Sequence, residues 1–243
     1  MRDVKIKICD VRDAEVAKYC EQQGVCFLGI HQIKYPLTQE KKELVDKIKL
    51  LTNNINLVLV TQEQDTDKLL KLCSECDWDY IQLHFKIAPK DIVDLRKNLH
   101  DMYLYPGIIS VVDIGNIEEY EVNMLAKVSD FLLFDSSIRG GTGIPSSMQA
   151  LKKIKQIVNG KDFFIAGGLN DRNVLDVIRA CEPYAVDVQS GVEFLEPRLK
   201  HRKDPKRISS FVNAVKAYNR SNIKRNHNAV SYTHLTLPTN SLV

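Results

Sequence analysis

The stretch FDSSIRGGTGIP puts a carboxylate, Asp135, directly after the apolar run Phe131-Leu132-Leu133-Phe134, and follows it with Gly140, Gly141 and Gly143. An ordinary loop needs one or two glycines for positive φ. A third points to something that comes close to the backbone, and the acid beside it points to proton chemistry. Two other stretches carry small residues where an apolar run ends: IAGGLNDRNV, with Gly167 and Gly168, and AVDVQSGVE, with Ser190 and Gly191. Side chains this small let backbone N–H groups reach an anion, and a helix beginning just beyond adds its dipole.

Other reactive side chains argue for less. Cys73 and Cys76 form a lone C-x-x-C on a helical pattern with no second ligand pair, whereas zinc needs four ligands or three plus water. Six cysteines in 243 residues do not make a disulfide scaffold, so reduced thiols in a cytoplasm and no metal are expected. A net charge of +3 is too weak to imply nucleic acid and is compatible with an anionic small substrate. The first residues, MRDVKIKICD, lack a signal-type apolar segment, and no apolar run is long enough to span a bilayer.

These residues need elements to hold them. Short runs rich in β-branched and aromatic residues recur along the chain: Lys5–Cys9, Cys26–Ile30, Asn56–Val60, Tyr80–His84, Ile108–Val112, Phe131–Phe134, Phe163–Ala166 and Ala185–Val188. They read as buried parallel strands. Between them lie helical patterns over Asp13–Gln23, the segment after Thr38, Asp67–Cys76, Pro89–Leu99, Ile117–Lys127, Ser146–Val158, Asn170–Cys181 and Asp204–Tyr218. Thr38, Thr66, Asn170 and Asp204 are the cap candidates, Gly24 a C′ glycine, and Pro89 and Pro205 fit first turns.

Strict β–α alternation argues for a parallel sheet with right-handed crossovers. Eight such units in about 220 residues give a single-domain α/β fold, the (β/α)8 TIM barrel, over residues 1–220. An open doubly wound sheet would place its glycine fingerprint after the first strand, where this chain has Cys9-Asp10. Residues 221–243 are expected to be a disordered tail. Its end, AVSYTHLTLPTNSLV, is uncharged and aperiodic, and AVSYTHLTLPT resembles a translated sequencing adapter, so the stretch from about Ala229 is expected to be non-native.

A barrel concentrates its chemistry at the C-terminal ends of the strands. Those ends carry Cys9, His31, Gln82 with His84, Asp113, Asp135, Gly167-Gly168 and Ser190-Gly191. Loops after strands 7 and 8 are the recurrent phosphate site of this architecture, so Gly167, Gly168, Ser190 and Gly191 are the expected phosphate-binding residues.

In this order the motifs carry a likeness. KIC (Lys7–Cys9), QLH (Gln82–His84), FD…GGTG (Phe134–Gly143), AGGLN (Ala166–Asn170), DV-x-SGVE (Asp187–Glu193) and KDPKRI (Lys203–Ile208) make the chain resemble the phosphoribosylanthranilate isomerase family of the tryptophan pathway. The resemblance implies an Amadori rearrangement without cofactor or metal. Its substrate is one small phosphorylated molecule, with no nucleic-acid or membrane partner, in a monomer or homodimer. It implies Cys9 as general base, with a pKa lowered toward neutrality, and Asp135 as general acid, with a pKa raised by burial. Gly143 is implied to offer an amide to the phosphate as the glycine-rich loop closes over the ribose.

Three departures bear on that expectation. Asp10 stands where the family usually has glycine. It tolerates a left-handed backbone, and its charge would raise the cysteine pKa if it pointed at the thiol. The loop after strand 2, HQIKYPLT, lacks the family's arginine for the anthranilate carboxylate, leaving His31 or Lys34 to supply charge without a bidentate fork. Ile144-Pro145-Ser146 replaces the lysine and aromatic segment that usually follow GGTG. The substrate-side candidates are therefore His31, Lys34, Gln82 and His84. The competing readings are an isomerase for another amino-linked phosphopentose and a phosphometabolite-binding barrel without catalysis.

Overall fold

The structure is a computed structural model, which describes residues 2–136, 148–158 and 160–232. Gly143 and most of the glycine-rich loop therefore lie outside the described residues. Eight strands form the sheet: β1 (Lys5–Ile8), β2 (Phe27–His31), β3 (Asn56–Thr61), β4 (Tyr80–Leu83), β5 (Gly107–Asp113), β6 (Phe131–Asp135), β7 (Phe163–Ile165) and β8 (Ala185–Val188). They pair in sequence order, all parallel, and β1 returns to β8 with Lys7 opposite Asp187, so the sheet closes into a barrel as expected. The helices are α1 (Ala14–Gln22), α2 (Gln39–Leu51), α3 (Thr66–Ser74), α4 (Pro89–Asp101), α5 (Glu119–Val128), α6 (Met148–Ile157), α7 (Val174–Cys181) and α8 (Pro205–Tyr232). No helix among the described residues is long and apolar enough to cross a membrane.

Strand side chains alternate between two environments. One set, including Ile6, Ile8, Leu28 and Ile30, packs outward against the helices in the larger core. The other turns into the ring, where Phe27, Val58, Ile109, Leu133, Phe164 and Ala185 form a separate cluster that includes Cys9. Phe164 is the hub of that inner cluster, with ring centroids 5.2 Å from Phe27, 5.0 Å from Phe131 and 6.0 Å from Tyr184. The ring is thus filled below its mouth by this apolar cluster.

Local chemistry sets the helix starts, with some changes of residue. Thr38 caps α2, Asp13 caps α1 and Pro89 opens α4. Asp65, not Thr66, caps α3, because its carboxylate reaches the Lys68 N–H at 3.0 Å and Thr66 becomes the first helical residue. Asn170 does not begin α7 either. It accepts from the Arg172 N–H at 2.9 Å, forming a turn that delays the helix to Val174. At the other end α8 continues to Tyr232, past the expected stop at Tyr218. No glycine or proline interrupts that stretch, so the local sequence offers the helix no stop. Residues 233–243 lie outside the described residues.

Replacing Phe164 by Ala removes the hub of the inner cluster, and the surrounding strands cannot collapse into the space. The expected loss is about 3–5 kcal/mol of unfolding free energy, measured by urea denaturation. A loss below about 1 kcal/mol would mean that the ring interior is not the close-packed plug described here.

Candidate active site

The inward parity that fills the ring also delivers its functional groups. Above the apolar layer the same columns end in Cys9, His31, Gln82, His84 and Asp135, which line one cavity of about 330 Å3 at the mouth. Gly167, Gly168 and Ser190 line it from the loops after β7 and β8. Asp10, Arg12 and Asp187 complete the part of the wall that carries charge. Gly191 stands just behind the cavity, its carbonyl accepting from Arg207 Nε at 3.2 Å and Nη2 at 2.9 Å. Asp113 is not part of the wall: it caps the short turn after β5, accepting from the Gly115 N–H at 2.8 Å.

The thiol of Cys9 sits over a buried ion pair. Lys7, two residues earlier on the same face, is fully enclosed, and its ammonium lies 2.7 Å from Asp187 Oδ2 and 3.3 Å from Cys9 Sγ. Burial alone would favour the neutral amine, but Asp187 and the sulfur hold the Lys7 pKa above its ordinary value. Gly29 on β2 makes the room, since a Cβ there would stand 2.6 Å from the sulfur and 3.3 Å from Lys7 Nζ. Burial pushes the thiol pKa up to about 11; Lys7 and Lys203 oppose the rise and Asp187 adds to it. The resting group at neutral pH is therefore a thiol, not the thiolate expected from the sequence.

Asp10 does not cause that rise. Its backbone takes the left-handed conformation, φ 58°, as its residue type allows, and its carboxylate turns to Arg12. Arg12 grips it with two bonds, Nε to Oδ1 at 3.0 Å and Nη2 to Oδ2 at 2.7 Å. Burial disfavours the Asp10 charge, but the Arg12 bonds and the nearby His31 hold its pKa below the usual range. His31 stands between this pair and the thiol, with Nε2 3.1 Å from Cys9 Sγ and Nδ1 3.9 Å from Asp10 Oδ1. Burial drives its pKa down to about 4, with Asp10 opposing and Lys7, His84 and Lys203 reinforcing the fall, so the imidazole is neutral at pH 7.

Asp135 closes β6, three places from β1 around the eight-strand ring, and is largely buried. Its carboxylate shares tight space with the loop after β7. At Gly167 φ is +94°, and a Cβ would meet Ser136 Oγ at 2.3 Å and Asp135 Oδ1 at 2.9 Å. Only glycine lets that loop pass so close to the acid. The carbonyl of Gly168 is tied down by Asn173 Nδ2 at 2.9 Å and Asn170 Nδ2 at 3.3 Å. After β8, the buried Lys203 holds the Gln189 carbonyl at 3.1 Å and Glu193 Oε1 at 3.0 Å, so the loop carrying Ser190 is pinned from below.

Of the residues expected on the substrate side, Lys34 is absent from the wall. Its ammonium donates to the Gln62 carbonyl at 2.7 Å and lies 3.6 Å from Glu63, whose carboxylate draws it away from the mouth. Gln82 and His84 pair with each other at 3.2 Å. Gln82 Oε1 and Asp187 Oδ1 are buried without a hydrogen-bond partner, and such acceptors are costly unless a ligand satisfies them. Lys7, Asp187 and Arg12 were not singled out from the sequence. The signal for the first two was a charged residue inside a run short and apolar enough to be a fully buried strand. As for a metal, Asp10, Glu193 and His201 bring donor atoms within 4.8 Å of one another, but Arg12 and Lys203 already neutralise the two carboxylates.

Comparison with known proteins places the sequence and the fold. The profile of the family described as N-(5'phosphoribosyl)anthranilate (PRA) isomerase matches residues 6–214. Similar curated proteins include N-(5'-phosphoribosyl)anthranilate isomerase from Thermoanaerobacter pseudethanolicus, 31% identical over 216 residues, covering 88% of this chain and 98% of the relative. The enzyme of the same name from Aquifex aeolicus is 31% identical over 222 residues, covering 88% and 99%. Among solved structures, phosphoribosyl anthranilate isomerase from Thermus thermophilus superposes with a TM-score of 0.71 at 21% identity, covering 88% of this chain and all of that one (100%). Another, solved in complex with reduced 1-(o-carboxyphenylamino)-1-deoxyribulose 5-phosphate, gives 0.65 at 22% identity, covering 88% and 99%.

The depressed His31 pKa links protonation to stability. The folded state, with a pKa of about 4 against an ordinary 6.5, binds fewer protons than the unfolded chain between those values. Stability is therefore lost as pH falls from about 6.5 to about 4. Urea midpoints of the wild type and His31→Gln, compared from pH 7 to pH 4, should diverge, the wild type losing more. Parallel curves would show that the imidazole is not shielded from protonation.

Proposed function

The chain belongs to the N-(5'-phosphoribosyl)anthranilate isomerase family, and from that membership we propose that it performs the Amadori rearrangement of the tryptophan pathway, with Cys9 as base and Asp135 as acid. The observation that carries the assignment of roles is a single cavity bringing together a thiol, a carboxyl group and two small-residue loops. The carboxyl group of Asp135 donates its proton to the ribose ring oxygen, and the C1′–O bond breaks to leave an iminium at C1′. Cys9 Sγ, once deprotonated, takes the proton from C2′. The C2′–H electron pair becomes the C1′=C2′ bond and the nitrogen recovers its lone pair. The resulting enolamine tautomerises to the 1-deoxyribulose.

Gly167, Gly168, Ser190 and Gly191 hold the phosphate in this reading, on loops that Asn173, Lys203 and Arg207 brace from behind. The unpaired Gln82 Oε1 and Asp187 Oδ1 suit ribose hydroxyl groups, whose donors would satisfy them. Six free cysteines support a reducing, cytoplasmic setting, and the assembly is a monomer or homodimer. One observation favours the rival substrate, another amino-linked phosphopentose: Lys34 is engaged with Glu63 rather than facing an aglycone carboxylate.

The test is steady-state turnover of phosphoribosylanthranilate. Strong turnover by the wild type removes the rival substrate. Cys9→Ala and Asp135→Asn should each lower kcat/KM by about 100- to 10,000-fold. Undiminished turnover in either variant would take that residue out of the mechanism.

A further inference from the structure

A base that rests as a buried thiol must form its thiolate against the cost of burial. Among the described residues, one charged group lies within hydrogen-bond distance of Cys9 Sγ: the Lys7 ammonium, at 3.3 Å. The other near group, His31 Nε2 at 3.1 Å, belongs to an imidazole that is neutral at pH 7. Lys203 acts on the sulfur only through space, because Glu193 and the Gln189 carbonyl hold its ammonium.

The strand pairing builds the Lys7 contact. Lys7 on β1 and Cys9 just past its end stand two places apart, so extended backbone turns both to the inside of the ring. The long stem of Lys7 carries its ammonium along the strand to the sulfur. Asp187 on β8 fixes that ammonium at 2.7 Å, and Lys7 has no access to water. Gly29 on β2 leaves the space in which sulfur and ammonium meet, since a Cβ there would crowd both. An ammonium donates hydrogen bonds and accepts none, so it can stabilise a thiolate but cannot take the proton of the thiol.

We infer that Lys7 is the positioning residue of the base: its buried ammonium, fixed by Asp187, holds Cys9 Sγ in the cavity and stabilises the thiolate that removes the C2′ proton. This rests on the assignment of Cys9 as the base. The thiol first loses its proton to solvent at the mouth. The thiolate then forms its S–H bond with the C2′ proton, the C2′–H pair becomes the C1′=C2′ bond, and the iminium nitrogen recovers its lone pair. Cys9 is a thiol again, and Asp135, having given its proton to the ring oxygen, takes one back from solvent. One proton has gone to solvent and one has returned, while Lys7 keeps its own.

Besides Lys7, the groups that act on the sulfur are Asp187 on β8, His31 on β2 and Lys203 before α8. Asp10, His84 and Asp135 share its cavity. Replacing Lys7 leaves all of these in place. Asp187 then keeps its charge or takes up a proton. In either case the sulfur loses the influence that outweighs the carboxylate, so the thiolate becomes harder to form. A less acidic thiol gives a more basic thiolate, which returns about half of the loss on a logarithmic scale.

The experiment follows alkylation of Cys9 by iodoacetamide in the folded protein, read by peptide mass spectrometry from pH 7 to pH 9. Cys26, half-buried just before β2, is the internal reference. The thiolate is the reacting form, so the rate measures how readily it forms. Lys7→Gln keeps a hydrogen-bond donor and removes the charge. It should slow Cys9 alkylation about 10-fold or more, by the same factor at each pH, with Cys26 unchanged. Its kcat for phosphoribosylanthranilate should fall by a similar factor. Loosened packing would expose Cys9 and speed its alkylation, so a merely structural role predicts the opposite sign. If Lys7→Gln does not fold, the double variant Lys7→Met/Asp187→Leu carries the comparison, because apolar residues of similar size replace the ion pair. Alkylation should again be slower than in the wild type. Unchanged or faster alkylation of Cys9 would overturn the inference, as would undiminished kcat beside slowed alkylation. Cys9→Ala in the same turnover assay separates that result from failure of the base assignment. If Cys9→Ala is inactive, Cys9 remains the base without help from Lys7; if it is fully active, the base assignment falls and this inference with it.

Discussion

The closure of the ring rests on a seam that is also the electrical centre of the site. β1 and β8 come from opposite ends of the barrel sequence, and their register sets Lys7 opposite Asp187. Both side chains point inward and meet at 2.7 Å with almost no access to water. A slip of one residue would turn Lys7 out toward the helices and leave Asp187 as an unpaired buried charge. A pair this deep contributes little net stability, because desolvation consumes most of the attraction, yet losing one member is severe. Its worth lies in specifying register, and with it the position of Cys9 two residues further along β1.

From that seam the rest of the site follows by alternation. Inward positions on each strand fill the ring with Phe27, Phe164 and their neighbours until the last inward place, where apolar side chains give way to polar ones. The same burial that makes a stable plug works against the base proposed here. It raises the Cys9 thiol to about 11 and lowers the His31 imidazole to about 4, so both groups rest uncharged beside the Lys7–Asp187 ion pair. The site is thus arranged to keep net charge low until a charged intermediate arrives. A carbocationic iminium formed in this cavity changes the local balance far more than it would in water, because the surrounding dielectric is low.

The fold was legible because each strand was a short, mostly apolar run bounded by helix signals, and eight of them left one economical closure. The strand ends then located Cys9, His31, Gln82, His84, Asp135, Gly167, Gly168 and Ser190, which share one cavity. What sequence could not weigh was competition between neighbours. Lys34 looked available until Glu63, far along the chain, claimed it. Asp10 looked like a threat to the thiol until Arg12 took its carboxylate. Thr66 and Asn170 looked like caps, but Asp65 and a preceding turn met those needs first. Lys7 and Asp187 were hidden because a charged residue inside a buried run has meaning only when its partner across the seam is known.

The two halves of the chemistry are also joined mechanically. Gly167 passes so near Asp135 that no side chain fits between them, and the next residue's carbonyl is tied to Asn173. A ligand that engages the amides of the β7 loop must therefore act on the same backbone that borders Asp135, the proposed acid. The β8 loop is braced in turn by Lys203, whose charge also opposes the rise in the Cys9 pKa. The loops proposed to take the phosphate and the side chains of Cys9 and Asp135 consequently share neighbours. Shared neighbours suit the proposed rearrangement, in which the acid must act before the base.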